Sequence, residues 1–393
     1  MTPILNTAIV LLSAALTVSC AAEPESTCTD FIAPVTVTAP SYGLQFPPFE
    51  NGYQATHFLN VATNRDAGLG PSPLKAPVNV TQTFDISARY CTPAKTYARD
   101  GKGGSVMLLT HGIGFDKSYW SFGNATYNYV LAATRAGYST LSYDRLGTGL
   151  SSHPSAYTAV QAPTELAVLT QLTTLLRSGT LGHRIPAPAT VVHVGHSWGS
   201  ILSCALAAAT PSLSDGLVLT GFTHNATWMN DFAISTGFRL ARDAAPARFA
   251  ALDSGYLTWP DALANQYAFF AYPFFDPAVL RLAEARKQPF AVAELLTEPL
   301  VYPVVAAEFA APVLIVVAEF DLIFCGGACG IPGSSVYVPP GGKAGDAPSA
   351  AFFPKARPFD VVLQPRTGHG MNLHYNASSM YEVTFGFLRR NGL

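Results

Sequence analysis

The chain has 393 residues, enough for one large α/β domain with insertions or for two ordinary domains. Hydrophobic residues make up 49% and charged residues only 12%, which predicts a sizeable core and excludes extended disorder. A formal charge of −2 gives no electrostatic reason to expect nucleic acid or an anionic membrane surface as a partner.

An apolar run from Ala8 to Val18 opens the chain, followed by Ser19-Cys20-Ala21-Ala22. The run is too short to span a bilayer but suits a secretory h-region with small residues at its cleavage site, although no Lys or Arg precedes it. A signal peptide over 1–22 is expected, and with it a secreted protein without a stable membrane anchor. Lipidation at Cys20 is the alternative, and the residues before it match that pattern poorly. Sequons at Asn79, Asn124, Asn225 and Asn376 agree with export and make these asparagines glycosylation candidates. Of six cysteines, Cys20 leaves with the signal. Cys325 and Cys329 lie four apart in a Gly-rich loop and are disulfide candidates, as are the loop-like Cys28 and Cys91. Cys204 falls in an apolar helical stretch and reads as a buried free thiol. A zinc site at Cys325 and Cys329 would need a second ligand pair nearby, so no metal is expected.

Residues 23–95 read as an N-terminal extension with antiparallel edge strands. Its first part, to about residue 75, is rich in Pro, Gly and Thr and predicts loops with a few short extended pieces. Val78 to Tyr90 then alternates apolar and polar residues, which predicts a strand with one wet face. From there buried strands alternate with helices. Strands are expected at 105–110, 139–143, 190–194, 216–220, 313–317 and 359–363, with helices at 163–177, 200–209 and 379–390. Continuous apolar strands separated by helices predict a mostly parallel sheet covered on both faces.

Between 222 and 309 the strand rhythm stops and aromatic residues crowd together, among them Trp228, Phe232, Phe238, Trp259 and Phe269. Most of these rings are expected in an ordinary core, and a minority on an apolar cleft beneath an inserted helical cap. The core then has two parts, 96–221 and 310–393, and residues 326–356 read as a long Gly/Pro/Ala-rich surface loop.

The chemistry centres on Gly195-His196-Ser197-Trp198-Gly199, which lies between a β-branched run and a small, apolar, helix-compatible stretch. A serine on such a strand-to-helix turn, with glycines two positions away on each side, is held out where a base can reach it. A serine hydroxyl is a weak nucleophile and needs a base, an orienting acid and oxyanion donors. His369, on a Gly-flanked loop after the last core strand, is the candidate base. His374 is its neighbour but lacks flexible flanks, while His111, His193 and His196 have local structural explanations. Asp321, just past an apolar strand, is the candidate acid, with Glu319 its competitor. The order Ser197, Asp321, His369 suits this kind of hydrolase. Backbone N–H groups of Trp198 and Ile113, the latter in His111-Gly112-Ile113-Gly114, are the candidate oxyanion donors. Asp144-Arg145 sits at a strand end ahead of the serine and reads as a structural pair.

The segments His111-Gly112-Ile113-Gly114, Tyr143 to Gly149, Gly195 to Gly199, Glu319-Phe320-Asp321 and Gly368-His369-Gly370 together resemble the motif set of the α/β-hydrolase fold superfamily. Within it the chain is similar to the single-cap AB hydrolase-1 type, in the style of secreted fungal members. The resemblance covers roughly residues 80–393, with no motif for the cap. It implies an α/β-hydrolase fold: an eight-stranded, mostly parallel central sheet, a Ser-Asp-His triad, no cofactor, and a cap shaping specificity. A serine at the turn argues against the epoxide hydrolases and dehalogenases of the superfamily, which use an aspartate there. The activity expected is cleavage of apolar carboxylic esters or lactones, with a small apolar acyl compound as the partner. An aminopeptidase-like or secondary-metabolite tailoring hydrolase on the same triad, or a non-catalytic binding protein on the same scaffold, are the alternatives. Oligomeric state has no signal in the sequence.

Overall fold

A computed structural model describes residues 26–64, 72–94, 104–182 and 185–393. The signal peptide expected over 1–22, with Cys20, lies outside them. Eight strands form one sheet: β1 (Ser26–Leu44), β2 (Leu74–Pro93), β3 (Ser105–Thr110), β4 (Ser139–Tyr143), β5 (Thr190–His196), β6 (Gly216–Thr220), β10 (Val313–Phe320) and β11 (Phe359–Gly368). Their spatial order is β1-β2-β4-β3-β5-β6-β10-β11. The strands from β4 through β11 run parallel, and β1 and β2 are antiparallel additions at one edge. Strands β4 and β6 are buried along their whole length, and β3 and β5 at every position but the first. That burial accounts for their unbroken apolar character. Helices flank the sheet in two packed pairs, α2 (Tyr129–Arg135) with the C-terminal helix Ala377–Arg390, and α3 (Ala162–Ser178) with α4 (Trp198–Ala209).

The extension departs from the sequence reading. Residues 26–44, expected as loops with a few short extended pieces, form one 19-residue strand, and α1 (Gly52–Ala62) follows. Phe31, Ala33, Val35, Val37 and Ala39 point inward in strict alternation with exposed residues. Pro34 and Pro40 disguise the pattern, yet an edge strand tolerates proline because one row of its backbone groups needs no partner. In β2 the clean alternation of residue types is matched by burial only at Phe84–Ile86, beyond which Ser87 and Ala88 are both buried, and Val78 is 63% exposed. The earlier half of β2 pairs with β1 alone, since its contact with β4 spans only Ala88 to Cys91.

Between β6 and β10 lies the cap. It contains helices, as expected, and also a small antiparallel sheet of β7 (Arg239–Leu240), β8 (Tyr256–Thr258) and β9 (Phe290–Ala291). Most of its rings are core: Phe249, Tyr256, Trp259 and Phe290 are buried. The segment between β10 and β11 has only short 3-10 turns beyond residue 326, in agreement with a long loop.

Both expected disulfides form, Cys28–Cys91 joining β1 to β2 and Cys325–Cys329 closing a short loop; Cys204 is a buried free thiol. Among the described residues no helix is long and apolar enough to cross a membrane. Asn79 and Asn124 are exposed, while Asn225 and Asn376 are half-buried.

Cys28 and Cys91 are 63 residues apart, so the bond restricts the unfolded chain substantially. Replacing both by serine is expected to lower unfolding free energy by about 2–4 kcal/mol in urea titrations, with β1 the first element to lose hydrogen-exchange protection.

Candidate active site

Ser197 sits between β5 and α4 with φ 54° and ψ −117°. It is one of two non-glycine residues with positive φ among the described residues, the other being Arg366. Such a backbone costs about 1–3 kcal/mol and persists only where its surroundings enforce it. Here they do. A Cβ on Gly195 would come within 2.4 Å of Ser200 backbone atoms, and one on Gly199 within 1.9 Å of the Thr110 carbonyl oxygen. The Ser197 N–H is fixed to the Thr220 carbonyl at 2.9 Å. Helix α4 starts at Trp198, two residues earlier than its composition predicts, so its positive end lies directly beside the serine.

The candidate acid and base meet because of an irregularity between β10 and β11. The register runs from Ala318 opposite Gln364 to Phe320 opposite Gly368, so two steps of β10 match four of β11. Pro365 and the positive-φ Arg366 take up the excess. The next residues on each strand, Asp321 and His369, then lie side by side. His369 donates from Nδ1 to Asp321 Oδ2 at 2.7 Å, and both side chains are fully buried. Asp321 Oδ1 also accepts from the Phe324 N–H at 3.0 Å, capping the turn that leads into the Cys325–Cys329 loop. Glu319, the competing acid, instead accepts from the Arg366 N–H at 2.6 Å and braces the bulge. Asn376 braces it too: its amide donates to the Pro365 carbonyl at 2.6 Å and its oxygen accepts from the Thr367 hydroxyl at 3.0 Å.

The other nitrogen of His369, Nε2, is buried and has no hydrogen-bond partner. The serine hydroxyl is therefore not bonded to it in the resting structure. The ring lies between Phe269 and Phe324, each 5.8 Å away between centroids, and both phenylalanines line the cavity onto which Ser197 opens. That cavity has a volume of ≈ 270 Å³ and a largely apolar wall. Ile113 and Trp198, the candidate oxyanion donors, line it as well. The backbone N–H groups of both make no hydrogen bond to another protein group among the described residues. Gly112 lets this loop approach, since a Cβ there would come within 2.9 Å of Ser197 Cβ.

Sequence reasoning missed three contributors. Helix α1, from the extension, supplies Phe58, Leu59 and Ala62 to the cavity wall. His374 accepts from the N–H groups of Ala271 and Gly368, each at 3.0 Å, and donates from Nδ1 to the Gly370 carbonyl. It thereby staples the His369 loop to the cap, and burial pushes its imidazole down to about 4, so it stays neutral. The third is Arg145. It does not pair with Asp144, which binds Lys117 at 2.7 Å. Arg145 is fully buried between Glu165 on α3, at 2.6 Å, and Glu294 in the cap. Glu165 accepts from the Trp198 indole N–H at 2.6 Å, so the cluster reaches the residue after Ser197. Burial raises the Glu165 carboxyl above the ordinary range against the pull of Arg145, and the neighbouring Glu294 raises it further. The parts of this cluster are far apart in sequence, and nothing short of the fold could have joined them.

Glu298, also on the cavity wall, has a buried Oε1 without a partner, and burial alone pushes its carboxyl up to about 7.

A model of the alpha/beta hydrolase family matches residues 107–378. Among solved structures, a thermophilic esterase from Thermogutta terrifontis is 16% identical with a TM-score of 0.51, covering 79% of this chain and 95% of that one. A bacterial membrane phospholipase A, described as a virulence factor, is 16% identical with a TM-score of 0.50, covering 79% of this chain and 84% of that one. At that identity the likeness is one of fold. No curated protein sequence matches the chain.

Arg145→Met strands two buried carboxyls and is expected to cost about 3–5 kcal/mol in urea unfolding. Adding Glu165→Gln and Glu294→Gln should restore part of that loss, whereas strict additivity would contradict the cluster. Acid should also destabilise the fold. Burial holds His111, His193, His196, His224 and His374 below their ordinary 6.5. Between that value and their folded-state values the unfolded chain binds more protons, so their stabilisation is lost as pH falls below about 6.5. The raised carboxyls of Glu165 and Glu298 act in the opposite sense but are fewer. Urea midpoints should drop between pH 7 and pH 4.5; a flat profile would refute this balance.

Proposed function

Since the chain belongs to the alpha/beta hydrolase family, we propose that it is a serine hydrolase acting through an acyl-enzyme on apolar carboxylic esters or lactones. The observation that carries this reading is the buried Asp321–His369 pair, whose imidazole packs against two phenylalanines of the apolar cavity onto which the strained Ser197 opens. His369 Nε2, free of any competing partner, takes the Ser197 proton as the hydroxyl attacks the acyl carbon. Asp321 accepts the hydrogen bond from Nδ1–H and stabilises the imidazolium in a fully buried site. Negative charge on the tetrahedral oxygen is met by the Trp198 and Ile113 N–H groups and by the positive end of α4. The alcohol leaves with the proton from His369, and water, deprotonated by the same imidazole, releases the acid. No step in this sequence calls for a cofactor. Export belongs to the same reading, supported by the two disulfides and the apolar N-terminal run.

Ser197→Ala, checked for folding by circular dichroism, should lower kcat on p-nitrophenyl esters by about 10⁴–10⁶ and abolish labelling by a fluorophosphonate. Turnover close to that of the parent protein would overturn the assignment, and an unlabelled parent would point to a non-catalytic scaffold.

A further inference from the structure

Within the cavity the polar side chains are few, and most are already engaged. The Thr63 hydroxyl donates to the Leu59 carbonyl at 2.8 Å, and the Trp198 indole donates to Glu165. Asn230 is exposed, and Ser197 is the proposed nucleophile. Glu298 differs from all of them. It stands on a single 3-10 turn, Glu298–Leu300, beside Leu295, Leu296 and Pro299 of the same wall. Its Oε1 is buried without a hydrogen bond, and no ion pair compensates it among the described residues. A carboxyl oxygen shut away from water without a partner destabilises a fold. A leucine in its place would complete the apolar wall without that penalty. A polar atom so placed calls for a partner that the chain itself does not supply.

We infer that Glu298 is a specificity residue that accepts a hydrogen bond from a donor group, a hydroxyl or an ammonium, carried by the substrate away from its scissile carbonyl. The inference rests on the hydrolase reading above and narrows its substrate class from plain apolar esters to esters with one polar, donating end. The surrounding wall is largely apolar, so few other contacts compete for a polar group of the substrate. A buried hydrogen bond to a charged acceptor corresponds to about 10- to 100-fold in kcat/KM. Hydroxyl and ammonium donors differ in what they require of the acceptor. The former needs only an oxygen, while the latter is held by the negative charge.

The test uses ethyl esters of hexanoic, 6-hydroxyhexanoic and 6-aminohexanoic acids and their eight-carbon counterparts, assayed at pH 8 with the full chain. Parent protein should prefer at least one donor-bearing ester over the methyl-ended ester of the same length by about 10-fold or more. Glu298→Leu should reverse that preference and raise the thermal midpoint, because the stranded carboxyl is gone. Glu298→Gln should keep a hydroxyl preference and lose an ammonium preference, which distinguishes the two donors. Equal losses on all esters in Glu298→Leu, or a parent that prefers the methyl-ended esters, would overturn the inference while leaving the hydrolase reading intact. A parent that neither hydrolyses any ester nor labels with a fluorophosphonate would overturn both.

Discussion

The backbone of Ser197, held at a positive φ, is the constraint on which the candidate site depends. Everything near it is arranged to leave that conformation no alternative. Glycines at 195 and 199 permit contacts that any side chain would forbid, and β5 and α4 are locked into a buried sheet and a helix layer. The strain costs about 1–3 kcal/mol, comparable with what one buried leucine or valine contributes. Dozens of such side chains fill this core, so the fold can sustain the strain, and the serine cannot relax into an ordinary turn.

Around that fixed point several buried polar groups are satisfied in networks that reach the site. Asp321 holds His369, His374 holds the loop that carries His369, and the Arg145 cluster holds the indole of Trp198. Two of these networks end in the cap, at Ala271 and at Glu294. The cap is therefore tied to the core through the same residues that position the candidate chemistry. A shift of the cap would disturb the His369 loop and the surroundings of Trp198 together.

The extension is equally bound into this arrangement. Strand β1 covers the edge of the sheet and packs on α3, and α1 then lays Phe58 and Leu59 into the cavity wall. The cavity has walls from the extension, the core, the cap and the turn after β10, so its shape belongs to no single segment. The candidate catalytic residues Ser197, Asp321 and His369, by contrast, all come from the core.

The sequence by itself determined the sheet strands, the serine turn and the identities of Ser197, Asp321 and His369 as the residues to consider. These are local signals: apolar runs of strand length, glycines at fixed spacing, and an acid or histidine just past a strand. Both disulfide pairs were legible for a similar reason, since few cysteines leave few pairings. Strand β1 was hidden because Pro34 and Pro40 imitate a loop, and edge position, a tertiary property, is what excuses them. The Asp321–His369 contact needed a two-residue bulge in β11 whose cause, Pro365 and Arg366 braced by Glu319 and Asn376, is spread over three segments. The Arg145 cluster and the unpartnered carboxyl of Glu298 exist only as relations between distant parts of the chain. Burial makes a carboxyl expensive or a guanidinium structural, and burial is decided by what the rest of the molecule places around them.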